Sequence, residues 1–294
     1  MRLPSSGSNR HQGAKTMSPA TPEANPYRDL YIYYLAGRFR PVRSFQPPHY
    51  IGSWEEGEFS FLFFTRPNLD LVEKIIADLP GLELLDHYRM TYEEWQGGDI
   101  EPCRIGDFTI CPPWFPRPAD SQTEATIVLD PGVVFGTGTH PTTRDCLAAL
   151  QQALADGKIR TALDLGTGTG LLALAAARLG CLKVLATDLT LLAAQTTQRN
   201  IALNGLTGRI LVAQGDAEKF IDFTSDLVVS NIHYDVMKNL VRSTGFLKKK
   251  RFILSGLMRS EAAHIESMLA GLPVEIIRRW NQNGIWHTFY GATI

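Results

Sequence analysis

Long hydrophobic runs are missing from this chain of 294 residues. No apolar stretch approaches the ~20 residues that a membrane-spanning helix requires. Basic residues near the N-terminus are not followed by an apolar core, so a secretory signal is not expected. A net charge of −1 gives the chain no general attraction to nucleic acid or to an anionic membrane. We therefore expect a cytoplasmic monomer that has a small-molecule or protein partner and makes no direct contact with nucleic acid or membrane.

Cysteine is scarce as well. The four cysteines, Cys103, Cys111, Cys146 and Cys181, have neither the spacing of metal ligands nor the density of a disulfide framework. We expect free thiols in a reducing compartment and no bound metal. The apolar fraction of 44% is normal for a packed globular protein. The length is sufficient for two domains of ordinary size.

Changes in composition divide the chain into four parts. Residues 1–26 are rich in Ser, Pro, Gly and Ala and predict a disordered tail. Residues 27–86 combine aromatic strand patterns with one helical pattern, which predicts a small α+β domain. Residues 87–123 form a predicted linker with a Pro-rich stretch and one short strand. Over residues 124–294, apolar strands alternate with helices, which predicts a mostly parallel sheet covered on both faces.

The periodicity of apolar residues predicts the individual elements. In the small domain and the linker we predict strands at 29–35, 57–64 and 108–111 and a helix at 68–79. In the C-terminal part we predict strands near 126–129, 161–165, 183–187, 209–213, 226–230, 251–255, 273–280 and 285–291. Helices are predicted near 143–155, 170–179, 190–204, 235–247 and 259–270. The last two strands have no helix between them, and the turn at Asn281–Gly284 predicts a hairpin.

A glycine-rich turn is the strongest functional signal. Gly166, Gly168 and Gly170 follow an apolar strand and precede a helix, and Asp188 ends the next strand. Glycines allow close approach of the backbone to a ligand, and a carboxylate about 20 residues further on can accept hydrogen bonds from two ribose hydroxyls. The pattern predicts a ligand with an adenosine-like group. Because Gly168-x-Gly170-x-x-Ala173 also fits the dinucleotide pattern, the turn alone does not decide between cofactors.

A second motif is the loop from Asp130 to Thr143, which contains Phe135. Its glycines and proline indicate a specific loop conformation, and such loops commonly wrap a ligand. Thr142 and Asp145 together predict a cap on the following helix. His140 fits two roles, a hydrogen-bonding group in the turn or a catalytic base.

Further polar residues come where two predicted strands end. Asn231 can hold an amine with its lone pair aimed at an electrophile, and Tyr234 can offer its ring face to a cationic group. The alternative for Asn231 is a turn residue at a strand end. Asp216 fits two roles equally, an acceptor for an adenine amino group or a cap for the helix beginning at Ala217.

Taken together, the 135–143 loop, the 163–170 turn, Asn231-Ile232 and residues 254–257 resemble the ribosomal-protein methyltransferase family PrmA. The resemblance covers about residue 88 to the end. It implies an α/β fold of the class I methyltransferase type: a Rossmann-like, mostly parallel sheet with a C-terminal antiparallel hairpin, plus a small α+β N-terminal domain. It also implies S-adenosylmethionine as cofactor and, as substrate, the stalk-base protein of the large ribosomal subunit, methylated on lysine side chains and the N-terminal amine. The resemblance implies cofactor contacts at Thr143, Gly166, Asp188 and Asn231. The motifs described above add Phe135, Gly168 and Asp216 to the expected cofactor contacts, and the expected catalytic residues are Asn231 and Tyr234.

Two departures from the family pattern concern the acceptor. The family follows Asn-Ile with a small apolar pair, whereas this chain has His233-Tyr234. The family's N-terminal domain, which selects the substrate, is ferredoxin-like with a helix after its first strand, but the prolines of residues 37–52 oppose a helix here.

Two other functional classes are considered beside methyl transfer. An NAD(P)-dependent oxidoreductase is suggested by the Tyr234-x-x-x-Lys238 spacing. A non-catalytic, cofactor-binding scaffold for protein contacts is the second. A nucleic-acid amino-methyltransferase would also fit Asn231 to Tyr234, but neither the net charge nor any long basic run favours it.

Overall fold

The computed structural model describes residues 24–42, 44–116 and 126–294. Most of the predicted disordered tail, residues 1–23, lies outside the described residues. The described strands form three sheets, of four, seven and three strands. Within the described ranges, no helix combines the length and the apolar character that crossing a bilayer requires.

The four-stranded antiparallel sheet belongs to the N-terminal part. Its elements are β1 (Asp29–Ala36), β2 (Tyr50–Glu56), β3 (Phe59–Phe64), α1 (Leu69–Asp78) and β4 (Glu83–Thr91), and the strand order is β2-β3-β1-β4. The predicted strand at 57–64 is thus the second half of a β2–β3 hairpin. No helix lies between β1 and β2 among the described residues, as the prolines of residues 37–52 predict. The predicted boundary at residue 86 is wrong, because β4 runs across it and pairs with β1.

The predicted linker is also more ordered than expected. It contains the helix α2 (Tyr92–Gln96), which Thr91 and Glu94 close with a capping box. The strands β5 (Cys103–Ile105), β6 (Phe108–Cys111) and β7 (Thr126–Val128) then form the three-stranded sheet. The strand predicted at 126–129 therefore belongs to this small sheet and not to the large one.

The seven-stranded sheet carries the C-terminal domain. Its strands are β8 (Thr161–Leu165), β9 (Lys183–Asp188), β10 (Ile210–Gln214), β11 (Leu227–Asn231), β12 (Arg251–Met258), β13 (Val274–Gln282) and β14 (Trp286–Thr293). Its helices are α3 (Pro141–Leu154), α4 (Leu171–Arg178), α5 (Leu191–Leu203), α6 (Ala217–Phe220), α7 (Tyr234–Arg242), α8 (Thr244–Leu247) and α9 (Arg259–Ala270). The helix predicted at 235–247 is divided into α7 and α8, because Ser243 leaves the helical conformation and caps α8.

The large sheet has the strand order β10-β9-β8-β11-β12-β14-β13. Strands β8 to β12 are parallel, and β14 is antiparallel to both β12 and β13, which confirms the C-terminal hairpin. Apolar side chains of α3, α4 and α5 cover one face, and those of α6 to α9 cover the other. The chain leaves β8 and β11 toward opposite edges, so a crevice opens at their carboxyl ends.

The N-terminal sheet packs directly on the C-terminal domain. One buried cluster joins Leu30, Ile32 and Phe63 of the sheet to Val133 and Leu192 of the C-terminal domain. This shared core places the N-terminal sheet next to the region where the crevice lies.

Candidate active site

The glycine turn follows β8 and is built from left-handed residues. Gly166, Gly168 and Gly170 have φ angles of +76°, +56° and +86°, a conformation that costs other residues energy. The backbone N–H groups of Gly166 and Thr167 both donate to the carbonyl of Thr187 at 2.9 Å, which holds the turn against β9. A Cβ on Gly168 would lie 2.4 Å from the carbonyl oxygen of Phe135. Glycine is therefore required here by close approach as well as by φ.

Asp188 lies at the end of β9 and anchors the turn. Its Oδ2 accepts the N–H of Gly168 at 3.0 Å. Its Oδ1 accepts from the backbone and the hydroxyl of Thr190, at 3.0 Å and 3.1 Å. The carboxylate thus links the glycine turn to Thr190, the N-cap of α5. Asp188 also lines a cavity that lies beside the turn.

The loop that carries Phe135 lies over the glycine turn. The N–H of Thr169 donates to the carbonyl of Phe135 at 3.1 Å, and the Thr169 hydroxyl donates to the carbonyl of Gly136 at 2.7 Å. The Phe135 side chain stays 58% exposed and lines the cavity. The loop therefore packs on the turn and leaves one aromatic ring beside the space where a ligand would lie.

Helix α3 begins differently from the prediction. Its N-cap is His140, whose Nδ1 accepts the N–H of Thr142 at 3.4 Å, and Pro141 occupies the first helical position. The cap predicted from Thr142 and Asp145 is wrong, because Asp145 turns into the domain and accepts the amide of Gln282 at 2.6 Å.

Two consecutive threonines at the start of α3 have different environments. Thr142 lines the cavity. Thr143, a predicted cofactor contact, is 1% exposed within α3 and does not line it. This placement gives no support to the predicted contact of Thr143 with the cofactor.

Asn231 ends β11 at the cavity and is held by Thr142. Its Nδ2 donates to the hydroxyl oxygen of Thr142 at 3.2 Å, and that hydroxyl lies 2.7 Å from Nδ1 of His140. Because Nδ1 of His140 also accepts the N–H of Thr142, this nitrogen bears no proton and the Thr142 hydroxyl donates to it. The imidazole is then neutral and carries its proton on Nε2. Burial lowers the pKa of His140, which agrees with a neutral ring at pH 7.

Two other predicted residues have different outcomes. Asp216 caps α6 by accepting the N–H of Glu218 at 3.0 Å, and it also lines the cavity. Tyr234 does not line the cavity: its hydroxyl contacts Nδ1 of His264 on α9. This placement gives no support to the predicted role of Tyr234 beside an acceptor amine, which stays a prediction.

The cavity that these elements enclose has a volume of about 730 Å³. Of the predicted site residues, Phe135, Gly166, Gly168, Asp188, Asp216 and Asn231 line it. Sequence reasoning missed two tryptophans, Trp54 on β2 and Trp286 on β14. Trp286 was detectable as a large aromatic residue directly after the hairpin turn, whereas no local pattern marks Trp54.

A buried carboxylate lies behind the turn. Asp164 on β8 is 2% exposed and accepts the hydroxyl of Thr167 at 2.6 Å. Burial raises its pKa to about 7. Among the described residues no group of three or more His, Cys, Asp or Glu side chains is arranged to hold a metal ion.

Numbered from β8, the strands of the large sheet have the order 3-2-1-4-5-7-6, with the last strand antiparallel to its neighbours. With a glycine turn after strand one and an acidic residue at the end of strand two, this arrangement defines a class I methyltransferase.

Comparison with known proteins identifies the family. The model of the family "Ribosomal protein L11 methyltransferase (PrmA)" matches residues 86–292, and the chain belongs to this family. The ribosomal protein L11 methyltransferase of Enterococcus faecalis is 37% identical over 63% of this chain and 59% of its own length. The enzyme of that name from Streptococcus pyogenes is 41% identical over 60% of this chain and 57% of its own length. The chain thus matches less than two thirds of the length of these relatives.

A solved structure supports the same family. The crystal structure of a ribosomal protein L11 methylase from Lactobacillus delbrueckii subsp. bulgaricus is similar with a TM-score of 0.58 and 28% identity. The match covers 66% of this chain and 98% of that one.

Proposed function

We propose that this protein is an S-adenosylmethionine-dependent protein N-methyltransferase that modifies lysine side chains or the N-terminal amine of ribosomal protein L11, the stalk-base protein. The observation that carries the proposal is the side-chain amide of Asn231, fixed by Thr142 at the edge of a nucleoside-sized cavity. Family membership supports the reaction type and the acceptor. Since the acceptor is a ribosomal protein, the reaction belongs in the cytoplasm.

The cavity residues fit this cofactor. The volume of about 730 Å³ lies within the range of small-molecule sites. Close backbone approach is possible at Gly166 and Gly168, where no side chain stands between backbone and ligand. Asp188 would hold the ribose hydroxyls, and Asp216 next to Ala217 would face the adenine.

The bound cofactor supplies a methyl group that is already activated on a sulfonium centre, so the protein mainly has to align the acceptor. Asn231 performs this alignment. Its Nδ2 is engaged by Thr142, which leaves Oδ1 to accept an N–H of the incoming amine. An accepted N–H directs the nitrogen lone pair away from Asn231 and toward the cofactor side of the cavity.

The acceptor amine must lose its proton before transfer. For a lysine with a reference pKa near 10.4, neutralisation at pH 7 costs about 4.6 kcal/mol. The cavity reduces this cost because desolvation disfavours the ammonium form. Three rings of the cavity lining form a row. The ring centroid of His140 lies 5.4 Å from that of Phe135 and 5.0 Å from that of Trp286. His140 is linked to Asn231 through the Thr142 hydroxyl, and its lowered pKa keeps the ring uncharged at pH 7.

The role of Asn231 is tested with Asn231→Ala and the control Tyr234→Phe. We expect the alanine variant to lose on the order of 100-fold in kcat, because misplacement of a reacting group by about 1 Å has an effect of this size. Binding of S-adenosylhomocysteine should change much less. The control should keep near-normal turnover, since Tyr234 lies outside the cavity lining. Normal turnover of the alanine variant would overturn the assignment.

The acceptor is tested by transfer of radiolabelled methyl groups into a lysate from cells that lack this protein. Mass spectrometry of the labelled band should identify L11. A different labelled protein would keep the methyltransferase reaction but contradict the acceptor. A monomeric state and the absence of direct nucleic-acid contact stay predictions, to be checked on the same preparation by light scattering and by an RNA-binding assay.

The oxidoreductase alternative receives no support from the site. Its candidate pair would be Tyr234 and Lys238, but neither residue lines the cavity. Lys238 pairs with Asp235 at 2.6 Å and lies over the Tyr234 ring at 5.3 Å. Calorimetry should show binding of S-adenosylhomocysteine and none of NAD.

A further inference from the structure

We propose that Trp54 of the N-terminal sheet forms part of the cofactor site, so that nucleoside binding and docking of the N-terminal sheet are coupled. This inference rests on the proposed function, because the ligand is the same S-adenosylmethionine. The glycine turn and Asp188 both belong to the C-terminal domain, so these motifs do not predict a cofactor contact from the N-terminal sheet.

The position of Trp54 carries the first step. Trp54 lies on β2, and its side chain lines the cavity together with Asp188, Thr190 and Ala193. These three residues come from the end of β9 and the start of α5, which is where the ribose would be held. Trp54 also packs on the buried cluster that contains Leu192 and Ala193 of α5, so the N-terminal sheet supplies part of the cavity wall beside the start of this helix.

The side chain of Trp54 is held in place by other rings. Its ring centroid lies 4.9 Å from Phe63, 5.5 Å from Trp95 and 5.9 Å from Phe61. Aromatic neighbours at such distances pack favourably and limit the rotamers available to an indole. Trp54 thus presents a fixed apolar surface to the cavity.

The seam between the two domains is packed and hydrogen-bonded. The Tyr27 hydroxyl donates to Oδ2 of Asp130 at 3.0 Å, and the Tyr92 hydroxyl donates to the carbonyl of Gly132 at 2.7 Å. At Gly52 an added Cβ would lie 2.4 Å from Cδ1 of Leu192, so the backbone of β2 touches α5. These contacts fix β2, and therefore Trp54, relative to α5.

The contacts between the two domains are also connected to the cavity through the loop from Asp130 to Phe135. Asp130 and Gly132, the residues that the two tyrosines hold, begin the loop that continues to Val134 and Phe135. Both of these later residues line the cavity. A ligand in the cavity would thus contact Trp54 directly and touch a loop that the N-terminal part positions. Ligand binding should then stabilise docking of the sheet, because a ligand stabilises the state that binds it.

The test is a calorimetric titration of the full chain with S-adenosylhomocysteine. We expect Trp54→Ala to raise the Kd about tenfold, which corresponds to about 1.4 kcal/mol. Trp54→Phe should raise it less, since it keeps a ring. The matched control is Phe59→Ala, which removes a ring of the same sheet that contacts Tyr34 and does not line the cavity. Its Kd should stay within about twofold of the wild-type value.

Hydrogen exchange on the wild-type chain gives a second measurement that needs no variant. S-adenosylhomocysteine should slow exchange of amides in β2 and β3 as well as in the glycine turn. Protection of the turn without protection of β2, or an unchanged Kd for Trp54→Ala, would overturn the coupling while leaving the proposed function intact. Should Trp54→Ala fail to fold, the Kd of Trp54→Phe and the exchange data on the wild-type chain test the coupling instead. No binding to the wild-type chain would overturn both.

Discussion

The close approach at Gly168 predicts a specific defect when a methyl group is added. In Gly168→Ala, the new Cβ would lie 2.4 Å from the carbonyl oxygen of Phe135. Real Cβ–oxygen contacts are about 1 Å longer than this. The loop at Phe135 must therefore move, and it would lose its hydrogen bond from Thr169.

Gly205→Ala provides a matched control for the backbone effect. Gly205 has a φ of +66°, close to the +56° of Gly168, but nothing lies within 4 Å of its added Cβ. Both variants carry the cost of a left-handed alanine, about 1 to 2 kcal/mol of unfolding free energy. Only Gly168→Ala adds displacement of the loop and the lost hydrogen bond, which is about 1 kcal/mol more.

Urea denaturation and a titration with S-adenosylhomocysteine separate the two effects. We expect both variants to lose stability. Only Gly168→Ala should bind more weakly, by about tenfold, because the displaced loop no longer contacts the ligand. Wild-type affinity in Gly168→Ala would refute the inference that the loop at Phe135 and the turn together form the ligand surface. Weakened binding in Gly205→Ala would show that backbone strain alone accounts for the defect.

Two further variants test the polar groups behind the cavity. Thr142→Val keeps the shape of the side chain but leaves Nδ2 of Asn231 without its acceptor. We expect kcat to fall about tenfold through a loss of about 1.4 kcal/mol of alignment, with a smaller change in KM, and an unchanged kcat would contradict this. Asp164→Asn removes a carboxyl whose folded pKa is raised from 3.8 to about 7. The folded state keeps a proton on Asp164 that the unfolded state releases as the pH rises from 4 to 7. The wild-type free energy of unfolding, measured by urea denaturation, should therefore fall over this range by up to about 4 kcal/mol relative to the variant. A parallel pH dependence of the two proteins would refute this expectation.

The strand–helix alternation of the C-terminal domain was predictable because it depends on local periodicity. Strands β8, β11 and β12 are largely buried apolar runs, and the bounds of all five strands from β8 to β12 differ from the prediction by three residues at most. Gly180 and Gly205, at the predicted helix ends, have the left-handed φ of helix C′ glycines. The glycine turn was found in the same way, since its φ angles demand the residue type that the sequence shows.

Strand β4 could not be found from its pattern. Residues Glu83–Thr91 are mostly exposed and polar, and β4 is an edge strand whose order comes from pairing with β1. Local propensity for strands is weak under such conditions. The same limit explains β5, a three-residue strand that exists through its pairing with β6.

The candidate site residues show the same contrast between positions set by local sequence and positions set by tertiary packing. Gly166, Gly168 and Asp188 reach the cavity because their backbone positions determine where they lie. The contact of Tyr234 with His264 could not be predicted, because the direction of a side chain on the first turn of a helix depends on a tertiary partner, here on α9. Trp54 was missed because it reaches the cavity only through packing between the two domains.

The two departures of this chain from the family pattern both reach the cavity. His233 follows Asn231 and lines the end where the amine would be presented. The unusual N-terminal sheet, which has no helix between β1 and β2 among the described residues, lines the cavity through Trp54, beside the start of α5. A change in acceptor preference should therefore follow exchange of His233, whereas exchange of the N-terminal sheet should first alter cofactor affinity. The two effects are separable because the residues involved share no hydrogen bond in the described structure and approach the ligand from different domains.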